Sequence, residues 1–585
     1  MSEETRQCQN CKNEFRIEPE DFLFYEKIKV PPPTWCPECR MIRRFTFRNQ
    51  HNLFRRKDDR TGEEIFSGLP PYAPRKVYEL SYWNSDSWDS MEYGREYDFT
   101  KPFLEQFHDL WRTVPVPSRS VLNLINSDYC NEASELKNCY LCFDSDVVEN
   151  SAYLIKTNTN KDSMDLYEAL HNELCYDSVM IDESYRAFFS VDCDNCTDVW
   201  FSKSLVGCTN CFGCVNLRNK SYHIFNQPYS KEAYEEKLKK FRLDTYNGLK
   251  EARTIAHEFW DLHPVKFYHG YHNVNSTGEH IQDCKNVKNS FSIHHGEDLR
   301  YCQIANYNIK DSYDYTVWGA GAEKMYEALA CGFECAGVRF SFDCWPGCRE
   351  FDYCVSCRSS SDLFGCIALK KKQYCILNKQ YSKEEYEALR EKIITHMHEM
   401  PYTDAKGRVY RYGEFFPPEF SPFGYGETQA QDFFPLTKDE VLKKGYRWSD
   451  SEKSEFATTI NATTLPDTIR EVSESILQEV IKCGVCAGAY RIIPMEFEFY
   501  RKMNLPLPRL CPNCRFAERF KFVNPPKFWK RICQCAGASD DKNIYQNQVE
   551  HFHGSEHCPN EFETSYAPER KEIVYCESCY QTEVV

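Results

Sequence analysis

The middle of the chain is a series of short units in which hydrophobic and polar positions alternate. From about Asn126 to Asn226, and again from about Asp283 to Asn378, each unit of roughly 10–13 residues holds a short alternating apolar run followed by Asn, Asp, Ser or Gly. Alternation that ends in turn residues predicts short β-strands. Repetition at a short period is typical of a β-solenoid, whose inward side chains stack from coil to coil.

The two middle segments resemble each other. The stretch NCFGCVNLRNKSYHIFNQPYSKEAYEEKL aligns with DLFGCIALKKKQYCILNKQYSKEEYEALR at an offset of 152 residues, and each predicts a helix at its end. In the second copy Ser382 and Glu385 have capping-box spacing, and Tyr386, Leu389 and Ile393 recur at helical spacing. The middle therefore predicts a duplicated unit of solenoid plus helix.

The two ends of the chain carry the same cysteine pattern. Both are C-x2-C-x24-C-x2-C, offset by 475 residues, and the flanking Arg, Pro, Phe and Tyr residues match as well. Four thiolates at this spacing supply the tetrahedral shell of a structural Zn²⁺ site, with no position left open for water. A rubredoxin-like iron centre is the alternative. The predicted ligands are Cys8, Cys11, Cys36 and Cys39 in the first site, and Cys483, Cys486, Cys511 and Cys514 in the second.

The motifs CPECR and CPNCR, each preceded by Phe-Tyr-x-Lys and a Pro-containing loop, resemble the zinc-ribbon domains of small bacterial proteins. The whole chain is similar to large multi-ribbon proteins of small-genome uncultivated bacteria. The resemblance covers about 45 residues at each end. It implies bound zinc and a ribbon fold, and it implies no enzyme activity. A treble clef, with a helix after the second cysteine pair, is an equal alternative.

A third zinc site is expected in the C-terminal tail, which gives about three zinc ions for the chain. Five cysteines and three histidines there compete for four positions. The predicted ligands are Cys535, Cys558, Cys576 and Cys579, with Cys533 and His553 as alternates.

These observations predict a mainly β fold: a duplicated β-solenoid-like centre with capping helices, flanked by zinc-ribbon or treble-clef modules at both ends. Phe103, Phe107 and Trp111 predict a helix before the solenoid, and a further helix is expected over residues 468–481. The predicted domains are an N-terminal zinc ribbon with a basic-aromatic extension (1–65), an aromatic, Pro-rich segment (66–125), two solenoid-plus-helix units (126–262 and 263–400), an extended Gly/Pro/Phe arm (401–465), a second zinc ribbon (466–531) and a C-terminal zinc module (532–585).

Nineteen more cysteines lie between Cys130 and Cys375, and they have two interpretations. Cysteine is small and readily buried, so it suits the inside of a narrow solenoid. The spacing of Cys208, Cys211 and Cys214 also resembles an iron–sulfur run, although the expected fourth Cys-Pro is missing. Additional metal or a cluster therefore stays open as the alternative.

Composition limits the cellular setting and the partners. Thirty-two cysteines without an N-terminal apolar segment indicate a reducing compartment, so a cytoplasmic location is expected. No run of 18 apolar residues predicts a membrane span. The formal net charge of −16 disfavours nucleic acid over the surface as a whole, so such contact would need local basic patches.

Two such patches follow the terminal cysteine motifs. In the segment Arg44-Phe45-Thr46-Phe47-Arg48, a strand would place Phe on one face and cations on the other, as proteins do when they grip single-stranded nucleic acid. The alternative is that Phe packs in the core and Arg pairs with the protein's own carboxylates. The candidate nucleic-acid contacts are Arg43, Arg44, Arg48, Arg519 and Lys521.

The sequence favours a zinc-binding scaffold or adaptor without enzyme activity, which contacts protein partners and RNA or a ribonucleoprotein. A redox or metal-handling protein that uses the central cysteines is one alternative. A carbohydrate-active solenoid is another, because Asp162, Asp165, Asp311 and Asp314 recur at matching positions. Asp in such turns is more often a turn-former than an acid catalyst.

Overall fold

The computed structural model describes residues 2–450, 456–537 and 546–584. They form two compact units, each made of segments far apart in sequence. Unit 1 takes its residues from 1–119, 268–449 and 525–527, and unit 2 from 120–267, 450–524 and 528–585. Each unit therefore combines one solenoid with cysteine modules from a distant part of the chain.

The predicted β-solenoid is confirmed, and its coils have four short sides. In the first solenoid (residues 120–228), every third residue from Glu132 to Phe225 has a positive φ, which turns the chain at a corner. Neighbouring coils pair in parallel at a step of 12 residues, as in Phe143 with Ile155. Its strands are Val121–Leu122, Asn131–Lys137, Phe143–Glu149, Ile155–Lys161, Met164–Leu170, Tyr176–Asp182, Tyr185–Phe188, Val191–Asp194, Thr197–Trp200, Lys203–Val206, Thr209–Phe212, Ser221–Ile224 and the antiparallel Gln227–Pro228.

The second solenoid (residues 268–380) mixes steps of 12 and 13 residues. Gly278 pairs with Ser290, whereas Ala336 pairs with Arg349. Its strands are Gly270–Tyr271, Gly278–Gln282, Ser290–Arg300, Gln303–Thr316, Tyr326–Leu329, Ala336–Arg339, Arg349–Asp352, Ser361–Phe364, Gln373–Ile376 and the antiparallel Lys379–Gln380.

Small polar side chains satisfy backbone groups inside the coils. The Ser163 hydroxyl donates to the carbonyl of Lys161 at 2.8 Å and accepts the amide of Cys175, one coil later, at 3.0 Å. Cys175 fills the equivalent position, where its Sγ donates to the carbonyls of Glu173 and Ser184 at 3.4 and 3.5 Å. Corners take backbone groups out of the sheet ladder, and inward Ser and Cys give them partners.

The predicted two-residue alternation holds only within single short strands, such as Val191–Asp194. The buried side chains of the first solenoid recur every third residue, as in Cys130, Ala133, Leu136, Cys139 and Cys142. A corner after every third residue resets which side of the chain faces inward, so strand-like alternation does not persist.

The N-terminal module (residues 4–48) begins with the hairpin Glu4–Gln7 and Glu14–Ile17, whose turn carries the first cysteine pair. Helix Pro19–Lys27 follows, and the second pair lies at the start of helix Pro37–Phe45. A knuckle on a hairpin and a second pair on a helix correspond to the treble-clef alternative. The second module (residues 481–523) repeats the order with Ile481–Lys482, Ala489–Tyr490, Pro494–Met503 and Pro512–Phe520.

We call Pro37–Phe45 and Pro512–Phe520 the docking helices.

The strand predicted around Arg44 is wrong, because Arg44 and Phe45 end a helix. The helix predicted over residues 468–481 is also wrong: this stretch contains the 3-10 turns Ile469–Glu471 and Glu474–Gln478 and ends at the strand Ile481–Lys482.

Twelve α-helices occur within the described ranges. The structure confirms the predicted helix at Phe103 and the predicted capping box of Ser382 and Glu385. None of the helices in the described part of the chain is long and apolar enough to cross a membrane. The helices outside the two modules are Leu80–Asn84, Phe103–Thr113, Lys231–Lys239, Tyr246–Asp261, Lys383–Glu399, Gln429–Phe433, Lys438–Lys444 and Glu577–Val584.

The remaining strands are short and pair locally, or join segments within one unit. In the Gly/Pro/Phe arm, Phe415, Phe416 and Phe420 pack into the unit 1 core, where Phe416 stacks on Phe107 with ring centroids 5.1 Å apart. These strands are Phe54–Lys57 with Glu64–Ser67, Val77–Tyr78 with Val116–Pro117, Pro264–Lys266 with Ile573–Tyr575, Tyr402–Thr403 with Val409–Tyr410, Ile460–Asn461 with Ile481–Lys482, and Trp529–Ile532 with Glu561–Thr564.

Candidate metal centres

The first four-cysteine group closes on the start of a docking helix. Cys36 is the N-cap residue and Pro37 occupies the first helical turn, which suits proline because its missing amide is not needed there. The Cys36 amide donates to Cys8 Sγ at 3.2 Å, and Cys11 Sγ lies 3.8 Å from Cys36 Sγ. Cys8, Cys11, Cys36 and Cys39 together form a group that could hold a metal ion.

The second group repeats this geometry. The Cys511 amide donates to Cys483 Sγ at 3.3 Å, and Cys486 Sγ lies 3.7 Å from Cys511 Sγ. Although burial acts in the opposite direction, hydrogen bonds from nearby backbone amides lower the pKa of the Cys483 thiol to about 6. A lowered pKa favours the thiolate, which is the form that binds metal.

The sulfur separations have the size that a metal shell requires. In a tetrahedron with metal–sulfur bonds of about 2.3 Å, two sulfur atoms lie about 3.8 Å apart. The Cys11–Cys36 and Cys486–Cys511 sulfur separations are 3.8 and 3.7 Å. The predicted pairs are thus brought together in both modules.

The C-terminal module (residues 529–584) contains a third four-cysteine group. The Cys576 amide donates to Cys533 Sγ at 3.2 Å, which repeats the amide–sulfur contact of the other two modules, and Cys558 Sγ lies 3.8 Å from Cys576 Sγ. The group consists of Cys533, Cys558, Cys576 and Cys579. Cys533, predicted as an alternate, therefore occupies the position predicted for Cys535.

Cys535 lies in a neighbouring group with His551, His553 and Cys579. The alternate ligand His553 is found here rather than in the four-cysteine group, and His551 was not predicted. The competition among the tail's cysteines and histidines could have suggested two groups instead of one.

Three arginines of the docking helix of unit 1 form ion pairs with buried carboxylates. Arg40 Nη2 lies 2.8 Å from Asp314 Oδ2, and Arg44 Nη1 lies 2.7 Å from Glu327 Oε2. Arg43 contacts Glu327 at 2.6 Å through Nη2 and Glu414 at 3.1 Å through Nη1.

All six of these side chains are buried, so charge is balanced three against three inside the unit. Burial acts in the opposite direction, but the nearby guanidinium groups of Arg43, Arg44 and Arg40 lower the pKa of Glu327.

The docking helix of unit 2 makes the matching contacts. Arg515 lies 2.9 Å from Asp165 through Nε, and Arg519 lies 2.9 Å from Asp165 through Nη2 and 3.0 Å from Asp177 through Nη1. Arg253 also contacts Asp177, at 2.6 Å, and Glu496 contacts Arg515 at 3.0 Å.

The two interfaces correspond at two of the three docking arginines, whereas Glu518 stands at the position that matches Arg43. Arg40 and Arg44 match Arg515 and Arg519 at the 475-residue offset of the modules. Each pair meets acidic residues one coil apart on its own solenoid. A tyrosine of the preceding helix packs edge-on against a solenoid tyrosine at 5.5 Å in both units: Tyr25 with Tyr326, and Tyr500 with Tyr176.

Most candidate nucleic-acid contacts are thus buried. Arg43 and Arg44 are fully buried in ion pairs, Arg48 is 2% exposed and Arg519 is 4% exposed. Lys521 is the exception, because its side chain is 65% exposed and lies 2.7 Å from Glu518. Arg43, Arg44 and Arg519 therefore follow the alternative prediction, in which arginines pair with the protein's own carboxylates.

The redox or metal-handling alternative depends on the central cysteines, and the carbohydrate-active alternative depends on the recurring aspartates. Both sets of residues occupy structural positions. All nineteen central cysteines are buried, and among the described residues they enter none of the groups of three or more metal-ligand side chains. Asp165 and Asp314 are held by docking arginines, Asp311 lies 2.5 Å from Lys27, and Asp162 accepts a hydrogen bond from Asn150 at 3.1 Å.

A smaller group at the start of the second solenoid was not predicted. His269 Nδ1 lies 2.7 Å from the buried Glu279 carboxylate, and the rings of His269 and His280 stack with centroids 5.0 Å apart. His269, Glu279 and His280 together form a group that could hold a metal ion.

Comparison of the chain with protein-family models and with curated proteins found no match. The resemblance to zinc-ribbon proteins therefore remains an interpretation of the cysteine motifs. The structure adds four-cysteine groups that are compatible with zinc-binding modules.

Proposed function

We propose that this protein is a zinc-binding scaffold without enzyme activity, in which bound zinc holds the docking helices in the form that fits the solenoids. The observation that carries the proposal is the direct connection between ligand and interface. Cys36 and Cys39 begin the same nine-residue helix whose Arg40, Arg43 and Arg44 enter the buried carboxylates.

Zinc or a single iron fits the ligand set better than the other common metals. Four thiolates favour Zn²⁺ or a single iron, and carboxylate-preferring ions such as Mg²⁺ or Ca²⁺ are disfavoured. A nine-residue helix is too short to be stable alone in water. Coordination at its first turn therefore contributes directly to the shape of the docking surface.

The solenoids supply the scaffold surface. Stacked amides and carboxylates line one edge of the first solenoid, where Asn126, Asn138, Asn150 and Asp162 are joined in a row by side-chain hydrogen bonds of 3.0–3.1 Å. Repeated rows of this kind provide extended surfaces that solenoid proteins use to bind partners. We propose a protein partner for this surface.

Contact with RNA or a ribonucleoprotein stays a prediction. Because Arg43, Arg44 and Arg519 are buried in ion pairs, such contact would have to use exposed cations such as Lys521. If the contact exists, affinity for single-stranded RNA should fall with rising salt and with Lys521→Ala. No binding at low salt would contradict the prediction.

The test of the main proposal is elemental analysis of the full-length protein, purified without oxygen. We expect zinc as the metal, and we expect Cys36→Ser to lose one zinc ion and to loosen helix Pro37–Phe45 in hydrogen exchange. Iron in place of zinc, or a docking helix that is equally protected without its metal, would refute the proposal.

A further inference from the structure

Among the described residues of the C-terminal module, seven side chains form two four-ligand groups that share one thiol. The first group is the four-cysteine group completed by Cys533, and the second consists of Cys535, His551, His553 and Cys579. Cys579 belongs to both. Within each group, every ligand atom lies within 4.8 Å of every other.

We propose that this module binds two metal ions of the zinc type, bridged by the Cys579 thiolate. Seven ligands with one shared between two ions fill eight coordination positions, which is the number that two tetrahedral ions need. The inference rests on the proposed binding of zinc by the four-cysteine groups and adds a second ion beside the third of them.

The sulfur–nitrogen separations support the second ion. His551 Nδ1 lies 3.3 Å from Cys535 Sγ, and His553 Nε2 lies 3.3 Å from Cys579 Sγ. Bonds of about 2.3 Å to sulfur and about 2.0 Å to nitrogen put such atoms about 3.5 Å apart on a tetrahedral ion. The two histidines therefore approach the sulfurs through the nitrogens that would face the metal.

The opposite nitrogen of each imidazole is hydrogen-bonded to an oxygen. His551 Nε2 lies 3.0 Å from Glu583 Oε2, and His553 Nδ1 lies 2.7 Å from the Glu556 carbonyl oxygen. An oxygen acceptor at one nitrogen keeps the proton there and leaves the other nitrogen free to bind metal. This is the outer-shell arrangement of metal-binding histidines, and it is independent of the ligand spacing.

Side-chain amide donors stabilise metal-bound thiolates at this buried site. Cys535 and His551 are buried, and the side chains of His551 and Glu583 have no exposed surface. The Asn547 side-chain amide donates to Cys535 Sγ at 3.0 Å, and that of Asn560 donates to Cys576 Sγ at 3.3 Å. Five thiolates against two divalent ions leave a net charge of −1, which such donors stabilise.

The experiment is metal analysis of the full-length protein and of variants in this module. We expect four zinc ions in the native protein, and three in His551→Gln and in Cys535→Ser. His557→Gln is the matched control, because His557 is an exposed histidine of the same segment outside both groups; it should keep four. Circular dichroism of each variant checks that the fold is retained.

The bridge itself has a direct signature. With cadmium-113 replacing zinc, two of the cadmium resonances should show mutual coupling through the shared thiolate, and Cys579→Ser should abolish that coupling. Three ions in the folded native protein would refute the second ion and leave the proposed zinc function standing. Fewer than three would contradict both, and four uncoupled ions would refute the bridge.

Discussion

At the residue scale, the clearest titratable feature is Asp352 in unit 1. Its carboxylate lies 2.7 Å from Arg339 Nε and 2.8 Å from Arg390 Nη2, and Tyr412 donates a hydrogen bond at 3.2 Å. Burial alone would raise the pKa of Asp352, but the two guanidinium groups lower it to about 2.

This pKa predicts that the free energy of unfolding of unit 1 decreases in acid. The folded-state pKa lies below the unfolded value of about 3.9, so the stabilisation is complete above that pH and is lost as the pH falls towards 2. The linkage contributes about 2–3 kcal/mol to stability at neutral pH. Denaturant unfolding between pH 2 and 7 should show a smaller pH dependence in Asp352→Asn, whereas the exposed Asp298→Asn should behave like the native protein.

The docking arginines give a second prediction at this scale. Arg44→Ala leaves Glu327 and Asp314 buried with fewer counter-charges, so we expect a loss of about 3–5 kcal/mol in the free energy of unfolding. Arg55→Ala is the control: Arg55 lies in the same basic stretch, but its side chain is 68% exposed, and we expect less than about 1 kcal/mol. A stable Arg44→Ala protein that has lost affinity for RNA would instead support the nucleic-acid prediction.

At the element scale, the solenoid coil explains the abundance of cysteine. An inward thiol and an inward hydroxyl make the same contacts, as Ser163 and Cys175 show one coil apart. Cys175→Ser should therefore keep the full metal content and cost only about 1 kcal/mol, from lost apolar burial. Thermal unfolding and metal analysis check both points. Metal loss in Cys175→Ser would support the redox or metal-handling alternative.

Local signals in the sequence predicted some elements and missed others. The cysteine pairs and the Ser382–Glu385 capping box are set by residues close in sequence, so their spacing was sufficient. The three-residue period of the coils was hidden because many inward positions hold Ser or Asn instead of apolar residues, for example Ser151, Asn160 and Ser163. The helix predicted over residues 468–481 had apolar spacing, but the stretch forms 3-10 turns instead.

The long-range part of the candidate site could not be predicted in this way. The carboxylates that meet Arg44 lie about 270 residues further along the chain. Nothing near Arg44 in sequence distinguishes an arginine that pairs internally from one that contacts phosphate. The third cysteine group was predicted with Cys535 because a single ion was assumed, whereas two neighbouring groups divide Cys533 and Cys535 between them.

At the scale of the whole molecule, metal and fold are linked through the docking helices. Removal of metal by a strong chelator should speed amide exchange in Pro37–Phe45 and Pro512–Phe520, because their first turns lose coordination. The solenoid strands, such as Tyr176–Asp182, should keep their protection, since their hydrogen bonds run from coil to coil. Uniform loss of protection, or none, would contradict this division.

The segment order of the two units has a consequence for synthesis. In unit 2 the carboxylates that receive the docking helix precede it in the chain, but in unit 1 the nearest of them follows it by about 270 residues. A ribosome that adds about 5–20 residues per second needs about 15–50 seconds to cover that distance. Throughout this time Arg40, Arg43 and Arg44 lack the buried carboxylates with which they pair in the folded unit. The nascent N-terminal module therefore presents to the cell a basic face that the finished protein never shows.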